Sequence, residues 1–352
     1  MARPSRSAEI DAALLQAVAT HPRDLVGMVS AQLGLSSARV SIQVRKLVAE
    51  GYLRKEGTTR PVYTRGHNRR FWQRYPREGL AEDSLWSTHL SPLLRDVPRN
   101  VLDIAHHGAT EMINNAIDHS EAAHVGVHVE LRDEELLMMI ADDGVGIFRK
   151  IARALQLPDE RLALLELSKG KFTTDPRNHS GEGVFFTSRM FDRFQIMSGG
   201  LVFSHEEGHG NDVLFDLDDM PKEGTVVSMG ISTRSQRTAK QVFDEYSSGP
   251  DEYAFAKTVV PVRLAQVGDE NLISRSQAKR LMQRVDRFRH VVLDFSGVTT
   301  IGQAFADEIF RVFAQAHPEV ELVPVHAVSE VQQMIRRAET ARDYDGGQLP
   351  LL

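Results

Sequence analysis

Three short segments between Glu111 and Gly183 carry residue types that handle nucleotides: Glu111-Met-Ile-Asn-Asn115-Ala-Ile-Asp-His119, Asp142-Asp-Gly144-Val-Gly146, and His179-Ser-Gly181-Glu-Gly183. Met112, Ile113 and Ala116 form an apolar side, which predicts a helix over Ala109 to His119; Glu111, Asn115 and Asp118 or His119 recur along its other side. An amide oxygen can ligate Mg²⁺ without adding negative charge beside a triphosphate, while a carboxylate one turn earlier can orient or deprotonate a water. That pairing suits metal-assisted phosphoryl chemistry. Leu136 to Ala141 reads as an apolar strand ending at Asp142, where two closely spaced glycines let the backbone approach a flat ligand and a carboxylate can accept from the exocyclic amine of adenine. Gly181 and Gly183 read as a glycine-rich loop opening a helix, whose free amides suit phosphates. Singly, each segment is ordinary: a solvated carboxylate, a turn. Their order and spacing describe one nucleotide pocket.

These segments resemble the ATP-binding domain shared by gyrase, heat-shock chaperone ATPases, MutL, sensor histidine kinases and anti-sigma-factor kinases, known as the GHKL or Bergerat fold. The resemblance implies ATP and Mg²⁺ as cofactors, Asn115 as the metal ligand, Glu111 as the base and Asp142 as the adenine acceptor. It also implies that Gly144 and Gly146 shape the pocket, that Gly181 and Gly183 belong to the ATP lid, and that Thr225, after Gly224, supports the adenine contact. His119 fits the kinase-like form of the first segment and Asp118 the gyrase-like form, so both stay candidates for the nucleotide site. Phe185 and Phe186 stand where kinases of this type usually carry a further glycine, which implies a more firmly packed lid. Lys169 and Lys171, with Thr173 and Thr174 beyond, are candidate phosphate contacts, since lysine is a point donor on a flexible stem.

The elements that must position these residues fall within a chain of 352 residues, long enough for two or three domains. Hydrophobic content of 41% and charged content of 26% are ordinary for a globular protein. Without cysteine, disulfides and thiolate metal sites are excluded, which fits a reducing compartment. No apolar run approaches the roughly 20 residues that span a bilayer, and Met1 to Arg6 is too polar to begin a signal peptide, so a cytoplasmic protein without a membrane partner is expected. Met1 to Arg70 holds 12 Lys and Arg against 5 Asp and Glu. A basic first domain, at about +7, thus precedes an acidic remainder.

That first domain reads as three helices, over Ala8 to Thr20, Asp24 to Leu33 and, capped by Ser36, on to Glu50, followed by a basic hairpin. Val40, Val44, Leu47 and Val48 make the apolar stripe of the third helix. The run Ser-Ser-Ala-Arg-Val-Ser-x5-Leu-x3-Gly-Tyr-Leu resembles bacterial winged helix-turn-helix repressors, which implies double-stranded DNA as a partner. Arg39, Ser41, Ile42 and Arg45 are then candidates for base edges, and Lys46, Arg54, Lys55 and Arg60 for phosphates. At the other end, strands and helices alternate, and Val291-Val-Leu-Asp-Phe-Ser-Gly-Val298 followed by a helix resembles STAS domains, the anti-anti-sigma fold. In that family a serine at the helix start accepts phosphate; Ala304 occupies the position here.

The expected fold class is multidomain α+β: a winged helix-turn-helix over 1–66, a linker over 67–84, an α/β-sandwich Bergerat ATPase over 85–236 with its lid at about 148–183, a linker over 237–252, a small α/β STAS-like domain over 253–340 and a disordered tail over 341–352. The span from Gly66 to Glu111 is too short for the two-helix dimerisation unit of sensor kinases, so autophosphorylation on histidine is disfavoured and His89 reads as a packing or surface residue. The expected function is a nucleotide-controlled transcriptional or signalling regulator that binds DNA, with an unidentified regulatory protein and a second copy of the chain as further partners. A Ser/Thr kinase acting on a separate protein and a slow ATPase within a larger assembly are the alternatives.

Overall fold

The computed structural model describes residues 6–171, 181–206, 213–216, 223–249, 252–266 and 271–346. Thr173, Thr174, His179 and Ser180 lie outside the described residues. The chain divides into two compact units, one comprising Met1–Val145, Phe191–Arg193 and Pro221–Gln236, the other Gly146–Met190, Phe194–Met220 and Arg237–Leu352.

The first unit begins with α1 (Arg6–Ala17), α2 (Leu25–Leu33) and α3 (Ser37–Ala49), then the antiparallel hairpin β1 (Leu53–Glu56) and β2 (Val62–Arg65), paired Leu53 to Arg65 and Glu56 to Val62. Three helices followed by an antiparallel hairpin is the element order expected for a winged helix-turn-helix. Gly34 ends α2 at φ +62°, a conformation costly for other residues, and the Ser36 hydroxyl accepts from the Arg39 amide to start α3. Leu14, Val29, Val40, Val44, Leu47 and Tyr52 meet in one core.

Residues 67–84, expected to be a linker, instead carry β3 (Arg69–Pro76), which pairs along its whole length with β4 (His124–Arg132). Within this unit β3, β4, β5 (Glu135–Asp142) and β9 (Thr225–Ser232) form a continuous antiparallel ladder in that order. No alternation of polar and apolar residues announces β3, because none of its residues is fully buried. The short α4 (Glu82–Leu85) passes through a wider turn at Trp86–Leu90 into α5 (Ser91–Leu93), and His89 stacks on Phe71 at 5.1 Å, a packing role.

α6 (Arg99–His119) buries Val101, Ile104, Ala105, Gly108, Ala109, Met112, Ile113 and Ala116, the three- and four-residue spacing of one helix face. The Arg77 guanidinium donates to the Ile117 carbonyl at 3.0 Å, a cation at the negative end of the helix. The winged helix is anchored to the ladder by a buried polar knot. Tyr52, 1% exposed, donates its hydroxyl to Glu130 on β4; Arg70 on β3 donates to both at 2.8 Å and lies over the Tyr52 ring. Asn68 ties Glu50 O to the turn at Asp133. Hydrogen bonds from His128, Tyr52 and Arg70 hold the Glu130 carboxyl well below its ordinary range, against burial.

The second unit holds α7 (Ile147–Leu155), α8 (Leu162–Lys169) and α9 (Gly183–Met190), then β6 (Arg193–Ser198), β7 (Leu201–Glu206) and β8 (Val213–Asp216), with β7 and β8 antiparallel. The segment 237–252, expected to link domains, forms α10 (Ala239–Tyr246), started by a Thr238–Gln241 capping box, and then β10 (Ser247–Gly249), which pairs with β11 (Glu252–Phe255). A parallel sheet follows in the order β12 (Lys257–Pro261), β13 (His290–Asp294), β14 (Glu321–Val325), with Val259, Val292 and Val323 in register. Its helices are α11 (Arg275–Met282), α12 (Gln303–Asp307), α13 (Ala314–Ala316) and α14 (Ser329–Gly346). α11 stops at Met282, and Arg284 turns the chain at φ +66°. The expected disordered tail is helical as far as Gly346.

Gly108 shows packing overruling propensity. A methyl there would stand 2.5 Å from the buried Phe191 ring and 3.1 Å from the Met229 sulfur. Mid-helix Gly→Ala ordinarily stabilises by about 1 kcal/mol, whereas overpacking a core costs about 1–3 kcal/mol. Gly108→Ala is therefore expected to destabilise the protein, measured as a lower denaturation midpoint; a rise would show that α6 can shift outward.

Candidate nucleotide site

In the first unit the candidate site is built around a buried carboxylate. Asp142 ends β5 directly opposite Thr225, which begins β9, and both are 8% exposed. Asp142 Oδ1 accepts from the Gly144 amide at 2.9 Å and the Thr225 amide at 3.3 Å. Burial pushes the Asp142 carboxyl above its ordinary range; those amides and the Thr225 hydroxyl pull the other way, and the neighbouring Asp143 charge adds to the rise. Such a group is an acceptor with little solvent to compete, which is what an amine donor of a flat base needs.

The glycines around it answer first to the protein's own backbone. A side chain at Gly144 would lie 1.9 Å from the Ser120 carbonyl, and one at Gly224, where φ is +77°, would lie 2.1 Å from the Asp142 carbonyl. Val145 N donates to Ser120 O and Gly224 N to Gly144 O. The end of α6, the turn after β5 and the start of β9 are thereby pressed into one backbone cluster. On α6, Glu111, Asn115 and His119 are half-buried and Asp118 is exposed. Asn115 directs its amide nitrogen towards Met112 Sδ at 4.0 Å, a weak contact that leaves a hard oxygen donor suited to Mg²⁺.

Sequence reasoning passed over Asp143. Its Oδ1 accepts from Ala123 N and His124 N, both at 2.9 Å, and its Oδ2 from Arg74 at 2.7 Å and His124 Nδ1 at 3.1 Å. Burial opposes, yet the bonds from His124, Arg74 and Ala123 prevail and bring the carboxyl down to about 2. Of the doublet, Asp142 thus sits in the buried cluster while Asp143 fastens β3 and β4 to it. The doublet at a strand end was the available signal, but its division of labour depends on a strand more than 60 residues earlier.

In the second unit Gly146 caps α7 at φ +87°, Gly181 has φ +74°, and Gly183 is the first residue of α9. Of the two lysines expected to reach phosphates, Lys169 is turned into the protein. Lys169 is 1% exposed and donates to Glu166 Oε1 at 2.6 Å, Gln283 O at 2.9 Å and Arg280 O at 3.2 Å, which occupies all three of its protons. Lys171 donates to Arg287 O at 3.0 Å and lies over the Phe288 ring. For Lys169 the physical reason is burial: an ammonium removed from water takes the nearest oxygens.

On the winged helix Arg39, Ile42, Arg45 and Lys46 are exposed, Ile42 by 57%, and Ser41 is half-buried. Arg54, Lys55 and Arg60 are exposed on and beside the hairpin. The ion pairs Lys46–Glu50 at 3.9 Å and Arg54–Glu56 at 3.2 Å are solvated and weak.

Residues 100–221 match the family model of the histidine kinase-, DNA gyrase B- and HSP90-like ATPases, and residues 277–332 that of a STAS-like domain of unknown function. No curated protein matches the chain in sequence. A solved structure, the IcIR transcriptional regulator from Alicyclobacillus acidocaldarius, is similar over 69% of this chain and 96% of its own at 18% identity, with a TM-score of 0.19, too low to carry any argument. Among the described residues, no helix is long and apolar enough to cross a membrane.

The two aspartates separate under substitution. Asp142→Asn turns one acceptor oxygen into a donor while relieving a buried charge, so adenine-nucleotide affinity is expected to fall by about 1–3 kcal/mol without loss of thermal stability; parallel losses of both would assign Asp142 a purely structural role. Asp143 has a lowered pKa, so the stability it contributes is present above about pH 4 and lost as pH falls towards about 2. Asp143→Asn is expected to flatten that stretch of the stability–pH curve, by on the order of 2 kcal/mol, in urea titrations from pH 6 to 2.

Proposed function

We propose that this chain, whose residues 100–221 form a histidine kinase-, DNA gyrase B- and HSP90-like ATPase domain and residues 277–332 a STAS-like domain, is a DNA-binding regulator controlled by Mg²⁺-ATP. Asp142 and Thr225 would receive adenine, Asn115 would hold Mg²⁺ through Oδ1, and Glu111, one turn before it, would orient or deprotonate the attacking water. Asp118 and His119 complete that helix face, and Gly181 and Gly183 present the amides at the start of α9 to phosphates. Bound Mg²⁺ would supply charge neutralisation at those phosphates. The winged helix would enter a major groove with α3, where Arg39, Ser41, Ile42 and Arg45 meet base edges and Lys46, Arg54, Lys55 and Arg60 meet the backbone.

One observation carries the coupling of these two activities. On β3, Arg74 bonds Asp143 beside the buried Asp142, and Arg70, four residues away, bonds Tyr52 of the winged helix. Four residues of strand span about 13 Å and place both arginines on one face. A shift of the turn after β5 on nucleotide binding has, through that strand, a stiff route to the DNA-reading domain; a ligand biases an equilibrium only through such differential contacts. The Glu111 and Asn115 pair also serves phosphoryl transfer to a Ser or Thr of a separate protein, which labelled γ-phosphate appearing on a co-purified protein would favour. A slow ATPase within a larger assembly would instead show turnover without salt-sensitive DNA binding.

The test is duplex-DNA affinity with and without Mg²⁺-ATP. The wild type is expected to differ by about fivefold or more between the two conditions. Asn115→Ala and Arg70→Gln are expected to abolish the difference, the first by losing nucleotide, the second while still binding nucleotide and DNA separately. Equal affinities in the wild type would sink the coupling.

A further inference from the structure

Within the second unit, the C-terminal α/β module grips the chain on both sides of the stretch that leads to the candidate phosphate glycines. On the approach, Glu166, 2% exposed, accepts from Lys169 and, at 3.2 Å, from Arg284; Arg284 also donates to the Lys171 carbonyl. The Lys169 ammonium reaches Arg280 O and Gln283 O, and Thr258 on β12 donates to the Lys169 carbonyl at 2.7 Å. On the far side Phe185 and Phe186 of α9 pack on Phe255 at 4.5 and 4.9 Å. Gly170, at φ +77°, lies between these contacts: a methyl there would stand 2.7 Å from the Phe255 ring and 3.1 Å from that of Phe185. Buried charge is costly unless every member is paired, and breaking one member strands the others. The arrangement is therefore close to all-or-none.

We infer that Lys169 is a positioning residue for the triphosphate end of the nucleotide site, and that the C-terminal module is a working part of that site, because it sets where α9 and Gly183 begin. This rests on the ATP reading above. Nucleotide recognition then splits in two: Asp142 and Thr225 read the base regardless of the ion cluster, whereas discrimination of ATP from AMP depends on Glu166, Lys169 and Arg284. Anything that loosens the C-terminal module lowers affinity for the triphosphate selectively.

The experiment compares ATP and AMP affinities of the full chain in the presence of Mg²⁺. Lys169→Met and Arg284→Met are expected to weaken ATP by about tenfold or more and leave AMP within about twofold, while Arg284→Lys retains the wild-type ratio. Because a single change can unfold a buried cluster, the double variant Glu166→Gln/Lys169→Met, which removes one charge of each sign and leaves Arg284 its bond to the Lys171 carbonyl, is measured alongside with circular dichroism as the folding control; it is expected to fold and show the same selective loss. ATP and AMP falling together, or neither changing in a folded variant, would overturn the positioning role. A wild type that binds neither nucleotide would instead fail at the ATP reading and take this inference with it.

Discussion

A carboxylate that is 8% exposed at the end of a strand has to be supplied with donors, and much of the first unit is arranged to supply Asp142. The nearest are backbone amides, and amides come close enough only if the chains carrying them lack side chains at the contact. That requirement accounts for Gly144 against Ser120 O and Gly224 against Asp142 O. It also fixes the register of β5 on β9, since Thr225 must face Asp142. The C-terminal end of α6 is held by the same cluster through Ser120, so the helix bearing Glu111 and Asn115 is placed by the demands of one buried acceptor.

Asp143 carries the consequence outward. Two adjacent carboxylates cannot share one desolvated space cheaply, and the chain separates them, one towards the cluster and the other towards Arg74, His124 and the Ala123 amide. Their pKa values move in opposite directions as a result. The pocket end of β3 is thereby set by Asp143, and its other end by the Tyr52–Arg70–Glu130 knot. Side chains within such a knot have lost their rotamer freedom already, so the strand is held at both of its ends.

What the sequence made legible was whatever depends on local backbone constraint. Ser36 as a cap, Gly34 as a left-handed stop, the 3.6 period of α6 and the glycines after Asp142 are each determined within a few residues and stand where the pattern puts them, although α6 begins at Arg99, well before the expected start at Ala109. β3 was not legible, because as a half-exposed strand it has no apolar alternation; its concentration of arginine and aromatic residues reads equally as a solvated linker. α10 was missed because Ser, Gly and Pro after Glu245 outweighed the Thr238–Gln241 capping box. The burial of Lys169 was hidden for a different reason. Lys169 and Glu166 are visible as an i, i+3 pair, a spacing common on exposed helices, and nothing local reveals that carbonyls more than 110 residues later complete their burial.

That long-range burial changes what a C-terminal module of this kind can do. Ala304 sits as the second residue of α12, where a serine would be needed for a phosphate switch of the STAS type, so covalent control at that position is chemically closed to this chain. Packing remains available. An ion cluster with each member satisfied has two states, intact or broken, and breaking it strands a buried charge, a penalty of about 3–5 kcal/mol that far exceeds thermal energy. A domain with alanine at that position, yet supplying Arg280 O, Gln283 O and Arg284 to an ion pair of the neighbouring helix, acts on that helix through packing and hydrogen bonds.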